Sequence, residues 1–300
     1  MIVTGIDLGS NSFRVLRYDF FKKEVLGEYE SVVGTADGLK QTGLISNEAI
    51  NRIVKAIKVS LEKIKYDPNV AIAVTTSAMR QASNSTQVIE KIKQETGVKF
   101  NIISGEEEAK LTLLAIKYAL KRENIKSDGF ILVDIGGGST ELIFATKEKE
   151  ITKSFEYGIV TLTQSQNKKE MLKNFKEKII HFINKNKIPL NLPLIATAGT
   201  PTTIAALKHN LNYKTYDSKI VNGTKLNLND LDYYKNYLNT LSLKEVDILV
   251  GAGRSEYMEA GIDIFKTFYN VLKKYEATVF DDGLREGVCI NEAIKNGWLN

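Results

Sequence analysis

The strongest constraint on this chain is that it carries one pattern twice. Gly5-Ile6-Asp7-Leu8-Gly9-Ser10-Asn11-Ser12-Phe13-Arg14 is echoed by Val133-Asp134-Ile135-Gly136-Gly137-Gly138-Ser139-Thr140-Glu141, with Asp7 and Asp134 standing 127 positions apart. Each copy reads apolar run, Asp, aliphatic residue, Gly, two small or polar residues, Ser. Each is followed by a second apolar run, at 15–18 and 142–145. A β-rich run, a polar Gly-containing turn and another β-rich run predict a β-hairpin. Two hairpins at this separation predict two domains with similar cores.

The residues between them alternate in period. Ser46 is placed to N-cap a helix with the stripe Ile50, Ile53, Val54, Ile57, Leu61 and Ile64. Strand-like runs at 70–75 and 99–103 flank a helix, Ser85–Thr96, that Gly97 should stop. A helix over 106–120 would turn Leu111, Leu114 and Ala115 inward and Lys110, Lys117 and Lys121 outward. The second half continues with a helix over Lys168–Asn186, a strand at 194–198, a Gly-Thr-Pro-Thr-Thr turn, and helices at 202–208, 262–273 and 285–296. The stretch 213–228 reads as extended. This alternation predicts an α/β protein, divided into residues 1–122 and 123–300.

Composition narrows the class further. With 41 Lys+Arg, 36 Asp+Glu and 43% apolar residues, the chain is of ordinary globular type, and collagen-like, disordered and disulfide-scaffold folds are excluded. Four prolines leave no Pro-rich linker. The single Cys289 rules out an internal disulfide and fits a reducing cytoplasm, where a lone thiol is ordinarily a small buried hydrophobe. His181 and His209 are too few and too far apart in sequence for a histidine metal centre. The N-terminus has no basic n-region and no apolar run approaches 18 residues, so neither a signal peptide nor a membrane span is expected. The net charge of +5 equals the excess on residues 166–187, which hold seven lysines and two glutamates. There Leu172, Phe175, Ile179 and Phe182 recur at helical spacing, so the lysines read as the solvated face of an amphipathic helix. Charge alone therefore points to no polyanion partner, and nothing points to DNA.

The two echoes carry the chemistry. Gly and Ser in a tight loop let backbone N–H groups converge on a phosphate, and Ser hydroxyls add donors. Neither loop is a Walker A or a GxGxxG motif. Gly9, Ser10, Asn11 and Ser12 in one copy, and Gly136, Gly137, Gly138, Ser139 and Thr140 in the other, are candidate phosphate contacts. Asp134, with Asp7 assisting, suits a hard divalent cation such as Mg²⁺; the alternative is a cap on local backbone donors. Glu141 is placed to orient or activate water. Arg80 is either a bidentate phosphate ligand or a surface ion-pair partner, and Gly199-Thr200 opens a helix whose N-terminus can contact an anion. Glu106, Glu107 and Glu108 either serve a site or favour the dipole of the helix they begin.

Six segments, in order, resemble the exopolyphosphatase/guanosine-pentaphosphate phosphatase (Ppx/GppA) family, within the superfamily of sugar kinases, heat-shock ATPases and actin. They are Asp7-Leu-Gly-Ser-Asn-Ser-Phe-Arg14, Thr76-Ser-Ala-Met-Arg-Gln-Ala-Ser-Asn84, Ile103-Ser-Gly-Glu-Glu-Glu-Ala109, Asp134-Ile-Gly-Gly-Gly-Ser-Thr-Glu141, Ala198-Gly-Thr200 and Asp282-Gly-Leu-Arg-Glu-Gly287. The resemblance implies two ribonuclease-H-like domains of the actin-like ATPase type with a cleft between them. It implies Mg²⁺-assisted hydrolysis of a terminal phosphoanhydride, in inorganic polyphosphate or pppGpp. Apart from the resemblance, the apolar closing helix Ile262–Leu272 can serve either the core or a homodimer. The resemblance also implies that Glu108, immediately before Ala109, is the general base, that Asp134 is the magnesium carboxylate, and that Glu141 lies near the attacking water. Arg80, Gly199, Thr200 and the two loops would form the phosphate clamp. The chain departs from the family's pattern at Ser104-Gly-Glu-Glu-Glu108 and at Gly34-Thr-Ala-Asp-Gly-Leu39, and it is of the short, two-domain length. An ATP-using kinase or ATPase and a non-catalytic polyphosphate or nucleotide sensor are the competing functions.

Overall fold

Both echoes fold as antiparallel hairpins with the same closing bond. The computed structural model describes residues 1–299. In the first copy, β1 (Ile2–Leu8) pairs with β2 (Ser12–Asp19) so that Leu8 faces Phe13, and Gly9 N–H donates to the Ser12 carbonyl at 2.9 Å. In the second, β6 (Gly129–Ile135) pairs with β7 (Thr140–Thr146) so that Ile135 faces Thr140, and Gly136 N–H donates to the Ser139 carbonyl at 3.0 Å.

The chain divides into two compact units, Met1–Lys117 with the segment that begins at Asp282, and Tyr118–Asp281. In the first unit the hairpin is followed by β3 (Glu24–Val32), α1 (Leu39–Thr42), α2 (Asn47–Ile64), β4 (Ile72–Thr75), α3 (Ser77–Gln81), α4 (Ser85–Thr96), β5 (Phe100–Ile102) and α5 (Gly105–Arg122). The sheet order is β3-β2-β1-β4-β5, with the first three antiparallel and β1, β4 and β5 parallel. In the second unit come β6, β7, β8 (Glu150–Phe155), α6 (Ile159–Thr163), α7 (Lys168–Asn186), β9 (Leu194–Thr197), α8 (Gly199–Lys208), α9 (Ser218–Val221), β10 (Lys225–Asn227), α10 (Leu228–Asn239), α11 (Leu243–Val250), α12 (Ser255–Leu272) and β11 (Glu276–Val279). Its sheet runs β8-β7-β6-β9-β11-β10, which repeats the first sheet strand for strand and adds β10 antiparallel at the edge. The α/β class and the repeated core are as expected from the sequence.

The final helix, α13 (Leu284–Lys295), returns to the first unit and packs on β1 and β2. The expected single division at 122/123 therefore differs from the structure at both ends: the division falls inside α5, and the C-terminal helix joins the first sheet. Two glycines make that packing possible. A Cβ on Gly5 would lie 2.7 Å from Cys289 Sγ and 2.8 Å from the Arg285 carbonyl, and one on Gly287 would lie 2.1 Å from the Leu111 carbonyl of α5. Cys289 is buried there, and burial pushes its thiol pKa far up, so it is a core residue.

Local signals account for most helix ends. Ser46 Oγ accepts from Ala49 N–H at 3.1 Å at the start of α2, and Gly97, at φ 78°, ends α4. At α5, Ser104 and Glu107 form a capping box: Glu107 Oε2 accepts from Ser104 N–H (2.9 Å) and Oγ (3.0 Å), while Ser104 Oγ accepts from Glu107 N–H (3.2 Å). The Ser104 main-chain N–H, then its hydroxyl, hold the Glu107 carboxyl below its ordinary range. The fully buried apolar face of α5 is Ala109, Leu113, Ala115, Ile116 and Ala119; Ala115 is inward and Lys110, Lys117 and Lys121 are outward as expected, while Leu111 and Leu114 are only half-buried. The expected strand at 70–75 starts only at Ile72, since Val70 is 70% exposed. The stretch 213–228 is not extended throughout, because α9 and the short β10 occupy it. The expected Gly-Thr-Pro-Thr-Thr turn is instead the first turn of α8, and the whole turn between β9 and α8 is compressed into Ala198 at φ 73°, ψ −176°. No helix among the described residues is long and apolar enough to cross a membrane.

Two outcomes follow for stability. Gly287→Ala should cost about 1–3 kcal/mol in urea unfolding, because the added methyl meets backbone that cannot swing aside; an unchanged midpoint would contradict the packing of α13 on α5. Glu107 is a depressed carboxyl, so its contribution is present above its unfolded value near 4.5 and is lost as pH falls through its lower folded value. Glu107→Gln should therefore be less stable than the parent near neutral pH and converge with it in acid, as pH-dependent thermal melts would show.

Candidate active site

Each hairpin loop has its carbonyls fixed from one side. In the first unit the Ser10 carbonyl accepts from Ala36 N–H (2.9 Å), and the Asn11 carbonyl accepts from Val33 (2.8 Å) and Gly34 (3.0 Å). In the second, the Gly136 carbonyl accepts from Ile159 N–H (3.0 Å) and the Gly137 carbonyl from Val160 (2.8 Å). In a trans peptide the C=O and the following N–H point in opposite directions. The amides of Asn11 and Ser12, and of Gly137 and Gly138, are thus aimed away from the segments that hold the loops. A concavity of such N–H groups suits an anion.

The bracing segments are themselves specified. Gly158 approaches the second loop so closely that a Cβ would lie 2.3 Å from the Gly137 carbonyl. In the first unit, 34–39 braces the loop, and Arg52 fixes that segment through the Val33 carbonyl (2.7 Å) and Asp37 (2.6 Å). Asn11 Oδ1 and Thr35 Oγ1 are buried there without a hydrogen-bond partner.

Register places the carboxylates. On the first sheet Asp7 is opposite Arg14, and Arg14 is opposite Glu30, with Arg14 Nε donating to Glu30 Oε1 at 3.2 Å. On the second sheet Asp134 is opposite Glu141, and Glu141 is opposite Ser154, whose Oγ donates to Glu141 Oε1 at 2.7 Å. Directly opposed residues share a sheet face. The first row reads acid, base, acid; the second reads acid, acid, hydroxyl. Asp134 is 8% exposed and Glu141 fully buried, so two buried carboxylates stand side by side on one sheet face. Like charges in that position are unfavourable, and a pair of hard oxygen donors suits Mg²⁺, which takes one or two carboxylates and completes its shell with phosphate oxygens and water. No cluster of three or more such ligands occurs among the described residues. Arg14 and Ser154 were legible only through hairpin register.

Glu108 and Arg80 are brought together. Arg80 Nη1 donates to Glu108 Oε2 at 3.0 Å and to the Ile103 carbonyl at 2.8 Å. Both side chains are largely buried, at 23% and 12% exposure for Arg80 and Glu108. Arg80 thus meets a carboxylate, as the ion-pair alternative holds, yet its Nε–Nη2 edge makes no hydrogen bond among the described residues and can receive an anion. Of the three adjacent acids, Glu106 is exposed, Glu107 caps α5, and Glu108 alone is held by a cation.

Gly199 and Thr200 open α8. The Thr200 side chain is 2% exposed and pressed onto Gly261 of α12, where a Cβ would lie 2.0 Å from Thr200 Oγ1. What α8 offers an anion is main chain, beginning at Gly199. The remaining motif, 282–287, is architectural: Gly283 N–H bonds Glu286, and buried Arg285 pairs with Glu286 and Glu28 (3.4 Å).

Comparison with known proteins agrees with this geometry. Residues 20–296 match the model of the Ppx/GppA phosphatase family. The chain is 29% identical over 297 residues to a guanosine-5'-triphosphate,3'-diphosphate pyrophosphatase of Aliivibrio fischeri, covering 95% of this chain and 58% of that protein. It is 29% identical over 270 residues to a bifunctional 3-dehydroquinate synthase/phosphatase of Fusobacterium nucleatum, covering 81% of this chain and 40% of that protein. The chain thus spans about half the length of these curated relatives. The crystal structure of the Aquifex aeolicus Ppx/GppA family member superimposes with a TM-score of 0.74 at 27% identity, covering 99% of this chain and 98% of that one. An exopolyphosphatase from Cytophaga hutchinsonii, at 23% identity and TM-score 0.82, shares the fold over 100% of this chain and 99% of its own. With its duplicated Asp–Gly/Ser hairpins on two like sheets, this chain belongs to the Ppx/GppA phosphatase family.

Proposed function

We propose that this protein hydrolyses the terminal phosphoanhydride bond of inorganic polyphosphate or pppGpp. The observation that carries the proposal is the outward set of loop amides in both units, created by tying down the loop carbonyls. Such donors hold phosphate oxygens with no reorganisation when charge develops on them. Within the first unit Arg80 adds a cationic edge, and within the second the first turn of α8 adds main-chain N–H groups.

In this proposal Glu108 is the general base. It accepts a proton from water as the water oxygen bonds to the terminal phosphorus, the bridging P–O bond breaks, and the electron pair leaves on the shortened chain. The products are inorganic phosphate and a substrate one phosphate shorter. Arg80 aims Glu108, since its Nη1 holds Glu108 Oε2 at 3.0 Å. Asp134 and Glu141 are the residues that would hold Mg²⁺, which when bound supplies charge neutralisation of the phosphoryl oxygens. Glu141, fixed by Ser154, is in addition the group that would orient water. Asp7, which stands opposite Arg14 in its own row, only assists.

Glu108→Gln should lower kcat for phosphate release by about 10²–10⁴-fold while leaving affinity for the phosphate chain nearly intact. Glu107→Gln should keep wild-type kcat; the reverse pattern would move the base by one residue. Arg80→Gln should lower kcat/KM by about 10²-fold, with partial recovery in Arg80→Lys. Chelation of divalent cations should abolish phosphate release, and Asp134→Asn should raise the Mg²⁺ concentration needed for half-activity. Activity indifferent to both would remove the metal from the scheme.

A further inference from the structure

Lysines are handled in two ways within the second unit. Between α10 and α12 they are matched to acids: Lys235 bonds Asp263 at 2.6 Å and lies 3.2 Å from Glu259, and Lys266 bonds Asp232. On α7 and its C-cap, all seven lysines are exposed, and none has a carboxylate within ion-pair distance among the described residues. Lys178 lies over the Tyr157 ring, at 4.9 Å to its centre.

These charges are arranged as well as concentrated. Phe175, Ile179 and Ile183 are the buried stripe that anchors α7. Lys169, Lys173 and Lys176 recur at i, i+4 and i+7 on one flank of that stripe, and Lys187 ends the helix in the same line. Neighbours at such spacing are about 5–6 Å apart at Cβ, inside the Debye length of about 8 Å at physiological salt. Their potentials therefore add. Like charges at i, i+4 weaken a helix, so this flank is stabilised by whatever polyanion covers it.

We propose that this lysine flank of α7 is a docking surface for long inorganic polyphosphate, outside the phosphate loops. Charge complementarity names the occupant. A linear polyphosphate presents closely spaced negative charges and nothing else to read, and lysine meets it as a row of point charges. Single-stranded nucleic acid is ordinarily held by aromatic stacking together with charge. Ile180 and Asn184 are the exposed non-lysine side chains in this line, Glu177 stands beside it at i+4 from Lys173, no aromatic lies along it, and α7 has no arginine. The proposal rests on the phosphohydrolase reading for its choice of ligand class, and it adds a chain-length dependence which the terminal-phosphate site alone does not have.

The test compares the parent with Lys169→Gln/Lys173→Gln/Lys176→Gln, using fluorescently end-labelled long polyphosphate for binding and tripolyphosphate for hydrolysis. The triple variant should bind long polyphosphate roughly tenfold more weakly, and the slope of log K against log salt should fall by about 2, the share of three released counterions. Its kcat and KM for tripolyphosphate should be unchanged, and the corresponding triple Arg variant should bind as the parent does. Equal affinity and slope in parent and triple Gln variant would overturn the proposal. So would parent binding of single-stranded RNA as tight as that of polyphosphate and equally lost in the variant, which would assign the flank to nucleic acid. Lysine-dependent binding without any phosphate release would refute the hydrolase reading and leave this surface standing.

Discussion

The donor sets of this protein depend on a set of main-chain hydrogen bonds made on the far side of two tight loops. A Gly/Ser loop left to itself has carbonyls and amides competing for every direction, and a phosphate would meet both. Here the segment after β3 takes the carbonyls of Ser10 and Asn11, and the segment after β8 takes those of Gly136 and Gly137. Peptide planarity then aims the intervening amides the other way. The bracing segments pay for this with restricted backbone of their own, seen in Gly34 at φ 56° and in Gly158, which has no room for a side chain.

The same duplication was diversified at one register position. Arg14 and Glu141 occupy equivalent places opposite Asp7 and Asp134. In one unit the strand pair carries its own counter-charge; in the other it gathers two buried carboxylates. In the first row Arg14 stands between two acids, whereas the second row sets two acids side by side. The Arg80–Glu108 pair follows a related principle at the start of α5, where the cation that steadies the carboxylate also presents a free edge toward an anion.

Much of this was legible beforehand because it is local. The hairpins, Ser46 as a cap, Gly97 as a stop, and the span of α7 are set by neighbouring residues, and the structure has them at those positions. Val70 looked like strand because a β-branched residue was judged without its surroundings, and it is exposed. Residues 199–203 looked like a turn because Gly and Pro were both present, but Pro201 is tolerated in the first turn of a helix, whose leading amides need no intrahelical partner. The three acids 106–108 could not be told apart in sequence. Only the helix geometry turns one to solvent, one back to its cap and one onto Arg80.

The sequence by itself determined the α/β class, the duplicated hairpin, the candidate loops and the location of the excess charge, since each is written in short-range spacing. Tertiary structure alone decided that the last helix closes the first sheet, that Thr200 is packed away against Gly261, that Asp134 and Glu141 share a buried row, and that Arg80 holds Glu108. Those facts join residues far apart in the chain, or depend on strand register, and a one-residue change of register would have put each carboxylate on the opposite face.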